Sequence, residues 1–121
     1  MWYCAHAIFY YKYDEQDSYL LHENVYLIKS DDEDKVMAMA ENVAKENEDL
    51  NEDGHLELNG NKVQYIFAGI RKVIQVELDE NTSKGQLLSG VEVTYSVMEV
   101  DKFSEVEELA SGGATEVLYR E

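Results

Sequence analysis

The stretch WYCAHAIFYYKY over residues 2–13 reads as a strand with no polar face. Trp2, Cys4, His6, Ile8 and Tyr10 alternate with Tyr3, Ala5, Ala7, Phe9 and Tyr11. Successive side chains leave a strand in opposite directions, and here neither set favours water. Such a strand is covered on both sides, by the chain's own helix and by something else.

The rest of the chain supplies the partners. Asp14 to Ser18 is a polar turn, and Tyr19 to Lys29 reads as a second strand. A five-residue loop makes the pair an antiparallel hairpin centred near residue 16, with His6 opposite Val25 or Tyr26. Ser30 and Glu33 then fit a capping box that opens a helix, with Asp31, Asp32, Glu33 and Asp34 in its first turn. Val36, Ala40, Val43 and Ala44, with Met37, form an apolar stripe at helical spacing that runs to about Asn47.

Glu48 to Asn61 is a polar loop. Lys62 to Leu78 is a third strand region, which Gly69 interrupts with a bulge or bend. After a polar connection from Glu80 to Gly90, residues Gly90 to Val100 form a fourth strand. Val91, Val93, Tyr95 and Val97 share its apolar side, opposite Glu92, Thr94 and Ser96. Lys102 to Ser111 reads as a short helix, capped by Ser104 with Glu107 and stopped at Gly112. The last nine residues dock or fray. These readings give one α+β domain over residues 1–121, in the order β-β-α-β-β-α. Its mostly antiparallel four-stranded sheet carries both helices on one face.

Charge sets the partners. The formal net charge is −16, and residues 31–57 hold eleven acids against Lys35 and Lys45. Nucleic acid and anionic membranes are disfavoured, while a basic protein or a cation is attracted. A hydrophobic content of 45% separates the chain from disordered acidic tails. The longest apolar run, Ala7 to Tyr11, is too short to span a bilayer, and no secretory pattern precedes it. The lone Cys4 has no internal disulfide partner, which together with the missing leader favours the cytoplasm.

WYCAHAIF at the start, ENVYLIKSDDEDKV entering the helix, YIFAGIRKV around Gly69 and GVEVTYS in the fourth strand resemble a small bacterial family of unknown function. The resemblance covers nearly the whole chain. It implies a stand-alone bacterial domain and brings no reaction and no catalytic residues.

Three groups of residues invite a chemical reading. Asp49 to Glu57 matches the first nine positions of a calcium loop, with oxygen ligands at Asp49, Asn51 and Asp53 and a glycine at Gly54. Gly60 stands where the bidentate glutamate belongs, so at best weak, roughly millimolar, divalent binding is expected, and a solvated acidic turn is the reading adopted. Cys4 and His6, two apart on one face, suit a structural cysteine and a core histidine. Tyr10, Tyr11, Tyr13 and Tyr19 crowd the hairpin tip.

No nucleophile elbow, phosphate loop, dinucleotide fingerprint or zinc helix motif occurs, so no enzyme activity, cofactor or metal is assigned. The expectation is an acidic interaction module, of inhibitor or immunity type, that meets a basic protein through Glu41, Glu48, Asp49, Glu52 and Asp53. A homodimer through Trp2, Tyr10, Tyr11 and Tyr13 is the alternative, and a weak divalent-cation binder the third.

Overall fold

In the computed structural model, residues 1–76, 89–90 and 92–120 are described. The two opening strands, β1 (Trp2–Lys12) and β2 (Tyr19–Lys29), form the expected antiparallel hairpin, and His6 pairs with Val25. A single 3-10 turn (Glu33–Lys35) leads into α1 (Val36–Glu46). A small hairpin follows, β3 (Glu57–Leu58) with β4 (Asn61–Lys62). Asn59 and Gly60 turn it, both at positive φ, as a tight two-residue connection requires. That Asn-Gly pair was a readable hairpin signal inside the segment taken as plain loop.

The long strand β5 (Gln64–Val76) pairs with β1, β6 (Glu92–Val100) pairs with β2, and β7 (Leu118–Arg120) adds to β6 after α2 (Phe103–Ala110). The sheet is therefore antiparallel with five strands, ordered β5-β1-β2-β6-β7, rather than four. The segment Leu118–Arg120 docks: Arg120 pairs with Glu99 at 2.6 Å, which holds the Glu99 carboxyl below its usual range. Leu78, residues 80–88 and Val91 lie outside the described residues.

β1 sits inside the sheet between β5 and β2, and each of its two apolar faces meets a helix. Tyr3, Ala5, Ala7 and Phe9 pack with Val36, Ala40 and Ala44 of α1. Tyr10, on the opposite side, packs with Val106 and Leu109 of α2. The helices thus lie on opposite faces of the sheet, not on one. A strand apolar on both sides needs a cover for each, and the second helix is the "something else".

Local details differ from the sequence expectation in three places. Ser30 does not cap the helix; its hydroxyl bonds the Asp32 backbone, and Asp32 accepts from the Asp34 N–H at 2.9 Å. At α2 the returning bond runs from the Lys102 N–H to Glu105, not between Ser104 and Glu107, while Gly112 at φ +90 does end the helix. In β6, Val93 and Tyr95 are exposed and Met98 and Val100 are buried, because Met98 pairs with Leu21 on the side that α2 covers while Tyr95 pairs with Asn24 on the other. Met37 is exposed as well, and Val43 flanks the core rather than filling it.

Gly69 marks the irregularity expected of it. The β1–β5 register slips on either side, between His6 and Ala7 and between Ile8 and Phe9. The glycine also admits the end of α2, as an added Cβ would stand 2.9 Å from the Ala110 carbonyl oxygen.

Candidate functional site

An eleven-residue helix is about 16 Å long, whereas an eleven-residue strand spans about 36 Å. α1 therefore covers only part of its face of the sheet. Beyond it, β2 turns polar: His22, Asn24 and Tyr26 follow one another on the side that faces α1. Around them lie Tyr11 of β1, Tyr65 of β5, Glu92 and Tyr95 of β6, and Asn47 at the end of α1. Together they line a cleft of ≈ 310 Å³.

The floor of the cleft is a hydrogen-bonded aromatic stack. Tyr65 lies parallel to Phe9, with centroids 4.7 Å apart. The buried Asn24 amide donates to the Tyr65 hydroxyl at 2.9 Å, and His22 Nδ1 is 3.1 Å from the same oxygen. The Tyr65 hydroxyl thus engages both side chains, and the His22 tautomer sets which member of the Tyr65–His22 pair donates. Burial favours the neutral form of His22, since it lowers the pKa. Burial also raises the pKa values of Tyr65, Tyr26, Tyr11 and Glu92. Tyr95, 59% exposed, leans over His22 at 5.8 Å and forms the outer wall.

None of these residues except Tyr11 was singled out from sequence. The signal was present in β2, where a polar trio occupies the face that α1 should make apolar. The four strands that meet there are joined by long-range pairing, which spacing alone does not reveal.

The residues chosen from sequence fall in separate places. Glu48 and Asp49 leave α1 and close the outer edge of β5. Glu48 accepts the Phe67 N–H at 3.0 Å, and Asp49 exchanges two backbone bonds with Tyr65. Glu52 and Asp53 are exposed, and Glu41 is half-buried on α1.

The oxygens of the calcium-like loop are engaged within the chain. Asp49 takes the Asn51 N–H and His55 Nε2, the latter at 2.7 Å, while Asp53 contacts His55 Nδ1. Asn51 bonds Leu56 and Val63. The two carboxylates raise the His55 pKa, and His55 lowers that of Asp53. Gly60, at the vacant twelfth position, belongs to the β3–β4 turn. Among the described residues no cluster of three metal-ligating side chains occurs.

At the hairpin, Trp2 and Tyr10 are buried within the protomer, and Tyr11 and Tyr13 are half-buried. Of the four residues expected at a dimer interface, the chain itself therefore covers Trp2 and Tyr10. His6 is not a plain core histidine. Its Nδ1 lies 2.8 Å from Glu23, which also accepts from Arg71 at 2.9 Å. Cys4, next to it on the strand face, is a half-buried free thiol.

Among the described residues no helix is long and apolar enough to cross a membrane. No curated protein and no solved structure matches the chain. A family model does, and it extends from β1 through β5 to Ser89, so Glu92 and Tyr95 of the cleft lie beyond it. With that match over residues 2–89, the chain belongs to the family described as domain of unknown function DUF4288.

Proposed function

We propose that this chain is a non-catalytic interaction module that docks a basic protein on the loop after α1, in the manner of an acidic inhibitor or immunity protein. One observation carries the reading. Leu50, 51% exposed, sits with Glu48, Asp49, Asn51, Glu52 and Asp53 around a depression of ≈ 410 Å³. An apolar anchor inside an acidic rim supplies both parts of a protein interface. The anchor contributes desolvation, and the rim steers a basic partner.

The internal bonds of Glu48 and Asp49 hold the loop in shape before binding, which lowers the ordering cost. Glu52 and Asp53 are both exposed to a partner, Asp53 while also contacting His55, and Glu41 adds to the field from α1. The net charge of −16 points to a protein rather than a nucleic acid. The free Cys4 suits a reducing cytoplasm.

The test is kinetic, with a partner captured from native lysate at low salt. Glu52→Lys with Asp53→Lys is expected to slow association at least ~10-fold, the lower end of steering effects. Leu50→Ala is expected to act on dissociation. Association that is indifferent to ionic strength, or to the charge reversal, refutes the reading.

A further inference from the structure

The cleft between α1, β2 and β6 shares no lining residue with the Leu50 surface and asks for a different ligand. We propose that it binds a small organic cation of the alkylated-ammonium class, held between the rings of Tyr11 and Tyr95 and the carboxylate of Glu92.

Ring faces come first in the argument. Tyr11, Tyr26, Tyr65, Tyr95 and the His22 imidazole converge on one space of ≈ 310 Å³. That suits a headgroup of a few heavy atoms, and tyrosine faces attract cations through the ring quadrupole. Charge comes second. Among the described residues the lining holds one carboxylate and no lysine or arginine, in a chain of net charge −16. An anion meets repulsion there.

Hydrogen bonding decides between classes of cation. The Tyr65 hydroxyl accepts from Asn24 and shares a further hydrogen bond with His22, so its bonding is largely met inside the protein. The Asn24 amide is shared between Tyr65 and Tyr26. A guanidinium or bare ammonium brings three to five N–H groups that each need an acceptor on leaving water. The floor offers few. An alkylated ammonium carries its charge on methyl groups, has little or no N–H to satisfy, and needs only ring faces and a nearby negative charge. Glu92 sits where that charge is needed, and Tyr95 is exposed enough to close over a guest.

The test uses the full chain in solution with choline as the probe. The control is 3,3-dimethylbutan-1-ol, which has the same shape without the charge. Two-dimensional NMR is expected to show saturable shifts at Tyr11, His22, Asn24 and Tyr95 with choline. The alcohol is expected to bind at least ~10-fold more weakly, since a desolvated cation–π contact is worth about that factor. Tyr95→Ala and Glu92→Gln, both at exposed positions, are each expected to weaken choline several-fold while the rest of the spectrum stays in place.

Equal binding of the alcohol and choline makes the cleft a plain apolar pocket and overturns the proposal. So does an absence of saturable shifts up to about 10 mM choline, where even a weak site begins to fill. Adenosine binding in the cleft where choline does not would assign it to a planar base instead, and overturns it too. None of these outcomes touches Leu50, Glu52 or Asp53, so the surface reading stands or falls separately.

Discussion

Gly69→Ala tests the contact that seats α2 on the sheet. The new Cβ would lie 2.9 Å from the Ala110 carbonyl oxygen and 3.2 Å from the Ala110 Cβ. The nearer neighbour is backbone, so it cannot rotate away, and the end of α2 must lift. α2 buries Val106, Leu109 and Ala110, so lifting it loosens the whole second core. Overpacking of this kind costs about 1–3 kcal/mol. Replacing glycine returns about 0.5 kcal/mol by restricting the unfolded chain. The expected net loss is about 0.5–2.5 kcal/mol, or a fall in Tm on the order of 2–10 °C for a domain of this size. Urea unfolding followed by Trp2 fluorescence reads it directly, with the denaturant slope unchanged. Adding Ala110→Gly removes the Cβ but leaves the carbonyl oxygen, so it is expected to restore less than half of the loss. A Gly69→Ala protein as stable as wild type would refute the reasoning, and full rescue by Ala110→Gly would assign the clash to the side chain.

Three further outcomes are expected. Glu48→Ala leaves the Phe67 N–H without its charged acceptor and is expected to cost about 1.5–3 kcal/mol, whereas Glu48→Gln costs less and Glu52→Ala almost nothing; equal midpoints for Glu48→Ala and Glu52→Ala in urea would remove the bond from the energetics. Ala40→Asp buries an unpaired charge under α1 and is expected to cost about 3–5 kcal/mol, while Val43→Asp reaches water and costs about 1 kcal/mol; calorimetry separates the two, and a reversed order would misplace the helix. The histidines titrate in opposite senses by NMR: His22 below 6.5, so its contribution is lost as pH falls beneath that value, and His55 above 6.5, so its link to Asp53 and Asp49 persists below 6.5 and is lost as pH rises through the raised pKa. A His55 midpoint that Asp53→Asn does not lower would deny that link.

Much of the fold was legible because it rests on local pattern. The double-sided apolarity of β1, the short polar turn to β2, the Val36–Ala40–Ala44 spacing and the Gly69 interruption are each visible within a dozen residues. What failed depended on distant partners. Val93 and Tyr95 look like a core-facing pair, yet the side of β6 that is buried is decided by the register of its pairing with β2 and by which face α2 takes. The placement of both helices on one face went wrong for the same reason, although β1 already demanded two covers. At the acidic loop, charge suggested a uniform solvated face. Only the fold shows that Glu48 and Asp49 are structural, that Asp53 is tied to His55 and that Glu52 is exposed. The cleft drew on four strands, so no single window of sequence contained it.

The strand order has a kinetic consequence. Of the ladders in the five-stranded sheet, only β1–β2 joins strands that are separated by a short turn, and it lies at the centre. β5 returns to β1 only after α1 and the acidic loop, and β6 returns to β2 from still farther along the chain. Closing such spans costs entropy before the contacts that reward it exist. The hairpin is therefore the natural nucleus, with β5 and β6 zipping on outward and β7 arriving last. Substitutions at Ala7 or Tyr26 should slow refolding, while those at Leu118 or Tyr119 should leave refolding alone and hasten unfolding. A chain built this way is slow to complete its edges, and the acids that flank α1 and cover β5 keep the half-made sheet apart from its neighbours in the meantime.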